Sequence, residues 1–274
     1  MRRAALAALL TLSACARPLP RPALVAQSAP AVPSPAAPER PAIPARGEGP
    51  ALPSPETVLT RIAVACCPEP GGDLPMLAAV AATAPQLLVF IDRTSGPVSD
   101  RAEAYGRLNL NAQFAAFNMA APMVAAPGAA LNGSEEEAGF EAYWTGAALG
   151  AERDGVHGSR IFGLPGRRVQ LLVLSAKPDA AEQAWLKDEL RRSAEVRVIV
   201  GPSGLSVIAT GAVVRVATDA GGSGAGVLTV PSLNGPDAGS GLIEVNWPRR
   251  RVLLSMRDLD GRALRNSEVA FPAP

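Results

Sequence analysis

Arg61-Ile62-Ala63-Val64-Ala65-Cys66-Cys67 and Gln86-Leu87-Leu88-Val89-Phe90-Ile91 are two short apolar runs, each suited to a buried strand and too short for a buried helix. Between them, Asp73-Leu74-Pro75 offers an N-cap and a first-turn proline, which predicts a helix that ends before Pro85. A helical pattern over 99–118, with Leu108 and Phe114 among its apolar positions, leads to a third strand-like run at 122–126. Strand, helix, strand, helix, strand in that order predicts an α/β layered fold with parallel pairing, because parallel neighbours need a crossover between them.

Downstream the pattern changes. Ser134-Glu135-Glu136-Glu137 is a capping-box start for a helix over 134–148, and its carboxylates favour the positive end of the helix dipole. The acid run therefore reads as a solvated helix start and not as a metal site. Arg160-Ile161-Phe162-Gly163 and the run 169–174 predict a hairpin turned by Pro165-Gly166. An amphipathic helix over 180–193 carries Trp185, Leu186 and Leu190. Further strands are expected at 196–200, 207–209, 226–230, 242–247 and 252–256, the last two joined by Pro248-Arg249-Arg250. So much late β structure makes the sheets mixed.

The N-terminus has a different character. Arg2 and Arg3 precede an apolar stretch over 4–12 that is too short to span a bilayer, which is a signal-peptide pattern. Leu12-Ser13-Ala14-Cys15 closes it and resembles a lipobox, so residues 1–14 are expected to be removed and Cys15 to carry acyl chains that anchor the protein in membrane lipid. Ala16, where a retention signal would place aspartate, favours the outer membrane of a bacterial envelope, facing the periplasm. Residues 15–55 are rich in proline and alanine and poor in large apolar residues, a composition that predicts a disordered tether reaching on the order of 100 Å if extended. Residues 56–274 are long enough for a sizeable core. With Lys+Arg 26 against Asp+Glu 25, a net charge of +1 gives no electrostatic case for nucleic acid.

Several segments in order resemble the alkaline phosphatase D family of metallophosphatases. They are Arg61 to Cys67 as quoted, Ala84-Pro85-Gln86-Leu87-Leu88-Val89-Phe90, Ala104-Tyr105, Gly155-Val156, Val169-Gln170-Leu171-Leu172-Val173-Leu174, Ala181-Glu182-Gln183-Ala184-Trp185-Leu186, Gly241-Leu242-Ile243-Glu244-Val245-Asn246-Trp247 and Arg257-Asp258-Leu259-Asp260-Gly261. The resemblance spans most of 58–270 and implies a two-sheet αββα sandwich with metal ions at the strand ends. It also exposes losses. A di-metal centre needs aspartate, asparagine and histidine ligands, and this chain has one histidine. Cys67 matches the family's cysteine with Glu69 as the nearby carboxylate, and Asp92 matches the second strand's aspartate within Phe90-Ile91-Asp92-Arg93-Thr94. The third-strand ligand run reads Pro127-Gly128-Ala129-Ala130-Leu131, and the Ser-Gly-Asp-x-His element reads Thr210-Gly211-Ala212-Val213-Val214. The Leu-Asp-Thr-Arg element reads Leu174-Ser175-Ala176-Lys177.

The expectation is an inactive domain with a binding or scaffolding role toward an unidentified protein or small molecule, with no cofactor. The alternative is an active phosphomonoesterase or phosphodiesterase that holds a single divalent or ferric ion on Cys67, Glu69 and Asp92. Other residues have plainer readings. His157 is expected to pack or hydrogen-bond, and Cys66-Cys67 to be small core residues, a redox pair being the competing reading. Asp92-Arg93 is either a relict ligand beside a substituting cation or a solvated strand end. Gly221-Gly222-Ser223-Gly224-Ala225-Gly226 leads into a strand and reads as a loop, and Asp258-Leu259-Asp260-Gly261 as a turn. Arg249-Arg250-Arg251 could meet anionic lipid at a hairpin tip or simply face water.

Overall fold

A computed structural model of the chain describes residues 42–68, 73–128, 131, 134–149, 157–205, 207, 209–218, 226–234 and 237–271. The signal peptide, Cys15, the tether as far as residue 41, Glu69, Ala129-Ala130, Gly155-Val156 and the glycines of 221–225 lie outside the described residues.

The apolar runs of the first half form β1 (Arg61–Cys66), β2 (Leu87–Asp92) and β3 (Met123–Pro127), paired in parallel. Their crossovers are α1 (Pro75–Ala82), and α2 (Val98–Leu110) followed by α3 (Ala112–Ala120). After β3 come α4 (Ser134–Tyr143), β4 (Gly158–Phe162), β5 (Val169–Val173), α5 (Ala180–Glu189), β6 (Val196–Gly201), β7 (Ala212–Ala217) and β8 (Val227–Thr229). The meander β9 (Ser240–Asn246), β10 (Arg251–Arg257) and β11 (Ala263–Ala270) ends the order.

Two mixed sheets result, one ordered β11-β10-β9-β1-β2-β3 and one ordered β4-β5-β6-β7-β8. Ile62, Val64, Leu87, Val89 and Ile91 from the first sheet share one core with Leu171, Val173, Val198, Val200, Val214 and Val216 from the second. The alternate face of β1 and β2, with Ala63, Ala65, Leu88 and Phe90, packs on α1 to α4, while Leu172, Leu174 and Ile199 on the far side of the second sheet meet Leu186 of α5. Helices, sheet, sheet, helix is the αββα sandwich with mixed sheets that the sequence reading expects. Arg197 fastens the outer helix: its buried guanidinium donates to the carbonyls of Leu190, Arg192, Ala194 and Thr210, closing the C-terminal end of α5.

Several local expectations are corrected. Leu74, not Asp73, holds the cap position of α1. The single helix expected over 99–118 is two, because Asn111 leaves the helical region (φ −77°, ψ 113°) and its Oδ1 accepts from the Phe114 amide, starting α3 afresh. The strand expected at 207–209 begins at Ala212 instead, and β11 had no expectation at all.

The tether's end is corrected as well. Residues 42–55 carry no regular structure yet lie against the domain. Ile43 packs on the helical core and Leu52 on the core between the sheets. Arg46 donates to Asn118 Oδ1 and stands 5.6 Å above the Trp144 ring. Asn118 Nδ2 returns hydrogen bonds to the Gly47 and Glu48 carbonyls, and Gly163 N donates to the Pro55 carbonyl at 2.7 Å. This strap belongs to the domain, since fourteen ordered residues need such contacts to offset their entropy.

Candidate functional site

The C-terminal ends of β1, β2, β3 and β7 meet at one edge of the sandwich. Leu87, Val89 and Ile91 enter the core between the sheets, so the pleat turns Leu88, Phe90 and then Asp92 toward the helices. Asp92 is 4% exposed. Its Oδ2 accepts from the Tyr105 hydroxyl and from Trp144 Nε1, both at 2.8 Å, and its Oδ1 accepts from the Thr94 amide at 2.8 Å. The Tyr105 hydroxyl also accepts from Arg101 Nη2 at 3.1 Å, so one hydroxyl links a buried guanidinium to a buried carboxylate. Arg101 Nε and Nη1 have no hydrogen-bond partner among the described residues.

Aromatic packing holds the arrangement rigid. Tyr105 and Tyr143 stack with centroids 3.9 Å apart, and Tyr143 meets Trp144 edge-on at 4.9 Å. The Tyr143 hydroxyl donates to Asn109 Oδ1 at 2.9 Å. Burial, and after it the negative charge of Asp92, push the pKa of both tyrosine hydroxyls above the usual value. Both therefore stay protonated, and Tyr105 stays a donor to Asp92, throughout the neutral range. The sequence reading found Asp92 but neither Tyr105 nor Trp144 as its partner, and it missed Arg101.

Arg93 leaves β2 on the opposite side from Asp92. Its Nε donates to the Thr218 carbonyl at 2.9 Å and its Nη2 donates to the same oxygen, so a side chain of the first sheet bridges to the end of β7 in the second. Gly128 lies beneath it. A Cβ there would stand 2.6 Å from Ile91 Cγ2 and 2.7 Å from Arg93 Cγ, so only glycine fits. Beside Arg93 opens a cavity of about 430 Å³ lined by Cys67, Thr94, Ser95, Asp100 and Ser232 among others.

Cys67 has φ 63° and is joined to Cys66 by a disulfide; Cys66 lies in the core between the sheets and Cys67 packs half-buried against it, as the packing expectation has it, but the two are paired and not free thiols. The stretch matched to Ser-Gly-Asp-x-His lies away from this edge: Gly211 precedes β7, Ala212 starts it, and Ala212 and Val214 are buried between the sheets, whereas Arg93 reaches the other end of the strand at Thr218. At the end of β5, Ser175 N and Oγ donate to the buried carboxylate of Glu182 at 2.7 and 2.6 Å, occupying that acid internally.

The described residues do not assemble a di-metal clamp. Among the described residues no group of three or more His, Cys, Asp or Glu side chains could hold a metal ion. Cys67 Sγ is bonded to Cys66, and both oxygens of Asp92 already accept hydrogen bonds. Glu69, the third residue of the alternative set, lies outside the described residues. His157 meets Trp185 edge-on at 4.7 Å, Asp258 Oδ1 accepts from the amides of Asp260 and Arg262 in a tight turn, and Arg251 pairs with Glu268 at 2.6 Å. No helix among the described residues is long and apolar enough to cross a membrane.

No protein-family model and no curated protein matches the chain. Among solved structures, Vps29 from Chaetomium thermophilum is similar over 78% of this chain and 100% of its own, at 12% sequence identity and a TM-score of 0.35.

Proposed function

We propose that the chain is a lipid-anchored bacterial envelope protein whose sandwich domain resembles the alkaline phosphatase D family but serves binding or scaffolding and not hydrolysis. One observation carries this reading: Asp92, the aspartate matched to the family's second strand, spends its carboxylate on Tyr105, Trp144 and Thr94. A ligand for a catalytic cation must keep lone pairs free toward the metal, whether one ion or two activates the water and neutralises the phosphoryl group. Here the carboxylate is turned into the helical layer, and the neighbouring cation is a guanidinium bonded to Thr218. A charge fixed in this way cannot lower the pKa of a bound water as a metal does.

The test uses the full chain in detergent. Bound iron, calcium, zinc and manganese are quantified, and hydrolysis of phosphomonoesters and phosphodiesters is followed with each metal added. Substoichiometric metal and rates equal to the buffer blank are expected. Near-stoichiometric metal together with turnover that disappears in Asp92→Ala overturns the reading in favour of the single-ion hydrolase.

A further inference from the structure

We propose that Cys66–Cys67 is a thiol–disulfide exchange site whose reaction partner is an external dithiol. The two sulfurs stand in unequal surroundings. Cys66 ends β1 with its side chain in the core between the sheets, 1% exposed, whereas Cys67 is half-buried in the wall of the cavity beside Arg93. A disulfide serving only as packing has no need of an opening, yet this one has Cys67 in a cavity wall and Cys66 sealed in the core. Attack is thereby directed to a single atom, Cys67 Sγ. The Arg93 guanidinium in the same wall favours an approaching thiolate, with Asp100 as the opposing charge on that wall.

The backbone around the pair is held from three sides. Cys67 N donates to the Ile91 carbonyl at 3.0 Å, the Cys67 carbonyl accepts from Ser232 Oγ at 2.7 Å, and the Cys66 carbonyl accepts from Leu233 N at 3.0 Å. These bonds keep Cys67 at a positive φ that side-chain-bearing residues rarely adopt. All three engage main-chain atoms of the cysteines and none involves a sulfur, so both strand end and cavity wall can persist when the sulfur–sulfur bond is opened.

The chemistry balances without a metal. A thiolate of the dithiol attacks Cys67 Sγ and forms a mixed disulfide. The Cys66–Cys67 bond breaks, and Cys66 Sγ departs with the electron pair and takes up the proton the attacking thiol released. The partner's second thiol, as its thiolate, then displaces Cys67 Sγ, which takes up that thiol's proton, and the partner leaves as a disulfide. Two electrons and two protons have passed to the protein. The inference is independent of whether the domain hydrolyses phosphate esters.

The test uses the full chain purified in detergent without reductant. Trypsin cuts after Arg61 and Arg93, so one peptide, residues 62–93, carries both cysteines and excludes Cys15. Without reductant this peptide is expected at the disulfide mass and closed to alkylation. After dithiothreitol treatment at neutral pH without denaturant, acid quench, denaturation and alkylation, it gains two alkyl groups. The circular dichroism of the reduced protein should still report a folded domain. A short alkylation pulse on the folded, reduced protein should mark Cys67 before Cys66, and Cys67→Ser should remove that native-state labelling. Two alkylated cysteines without reductant overturn the proposal, as does a disulfide that resists dithiothreitol until the domain unfolds.

Discussion

Asp92→Ala removes the acceptor of three hydrogen bonds at once and leaves Trp144 Nε1, the Tyr105 hydroxyl and the Arg101 guanidinium buried without their anion. Unpaired buried donors and an uncompensated buried charge together cost about 3 kcal/mol. For a domain of this size that lowers the midpoint of thermal unfolding on the order of 10 °C, readable by calorimetry. A residue kept as an open metal ligand would behave oppositely, since its removal relieves a desolvated charge, so an unchanged or raised midpoint sinks the structural reading of Asp92. The tyrosines add a pH signature. Their folded-state pKa values lie above the unfolded value, so the stability tied to them is complete below about pH 10 and is lost as pH rises beyond it. Each tyrosine should contribute about 1.4 kcal/mol per pH unit to that loss. Denaturant titrations between pH 9.5 and 11.5 should therefore give a shallower decline for the Tyr105→Phe, Tyr143→Phe double variant than for the parent chain; equal slopes would contradict the burial of these hydroxyls.

The strap at residues 42–55 is where element-level energetics part from composition. Proline, alanine and glycine there predict nothing ordered, but Arg46 lies over Trp144 and Asn118 binds the chain's carbonyls. Arg46→Ala should cost about 1–2 kcal/mol through the lost cation–π contact and the hydrogen bond to a partly buried partner, read as a lower urea midpoint at unchanged slope. An unshifted midpoint would mean the strap is not packed in solution. The strap was illegible for the same reason that β11 was: neither carries a hydrophobic period. β11 is an edge strand with both faces largely open to water, so its residues, among them Arg265, Asn266, Ser267 and Glu268, need not alternate. The parallel core was legible because β1, β2, β3 and β6 are buried along nearly their whole length and must read as continuous apolar runs. At the site, Asp92 could be found through its sequence neighbours. Its partners, Tyr105 in α2 and Trp144 just after α4, stand 13 and 52 residues away, a relation that three-dimensional packing creates and that no local spacing encodes.

For the whole molecule, the strap moves the start of the folded body back to at least residue 42, so the spacer expected from the sequence shrinks from 15–55 to roughly 15–41. In the proposed lipid-anchored reading, an extended polyproline-like chain of that length would reach on the order of 80 Å from the lipid. The proposal of anchoring rests on Arg2, Arg3, the apolar stretch and Leu12-Ser13-Ala14-Cys15. In that reading the acyl chains on one cysteine supply all the membrane affinity, because a single chain binds reversibly and several bind stably. In the same reading the domain adds little, and several of its surface arginines are paired: Arg251 with Glu268, Arg61 and Arg257 with Glu244, Arg107 with Glu103. Cys15→Ser should then abolish metabolic labelling by a fatty-acid probe and move the protein from the membrane to the soluble fraction, in high salt and in low salt alike. The same variant should leave the Cys66–Cys67 disulfide and the thermal midpoint where they are, because Cys15 lies outside the strap and the sandwich. Labelling that persists in Cys15→Ser would refute the lipid anchor, and membrane association that survives without label but washes off in salt would transfer the affinity to the arginines of the domain.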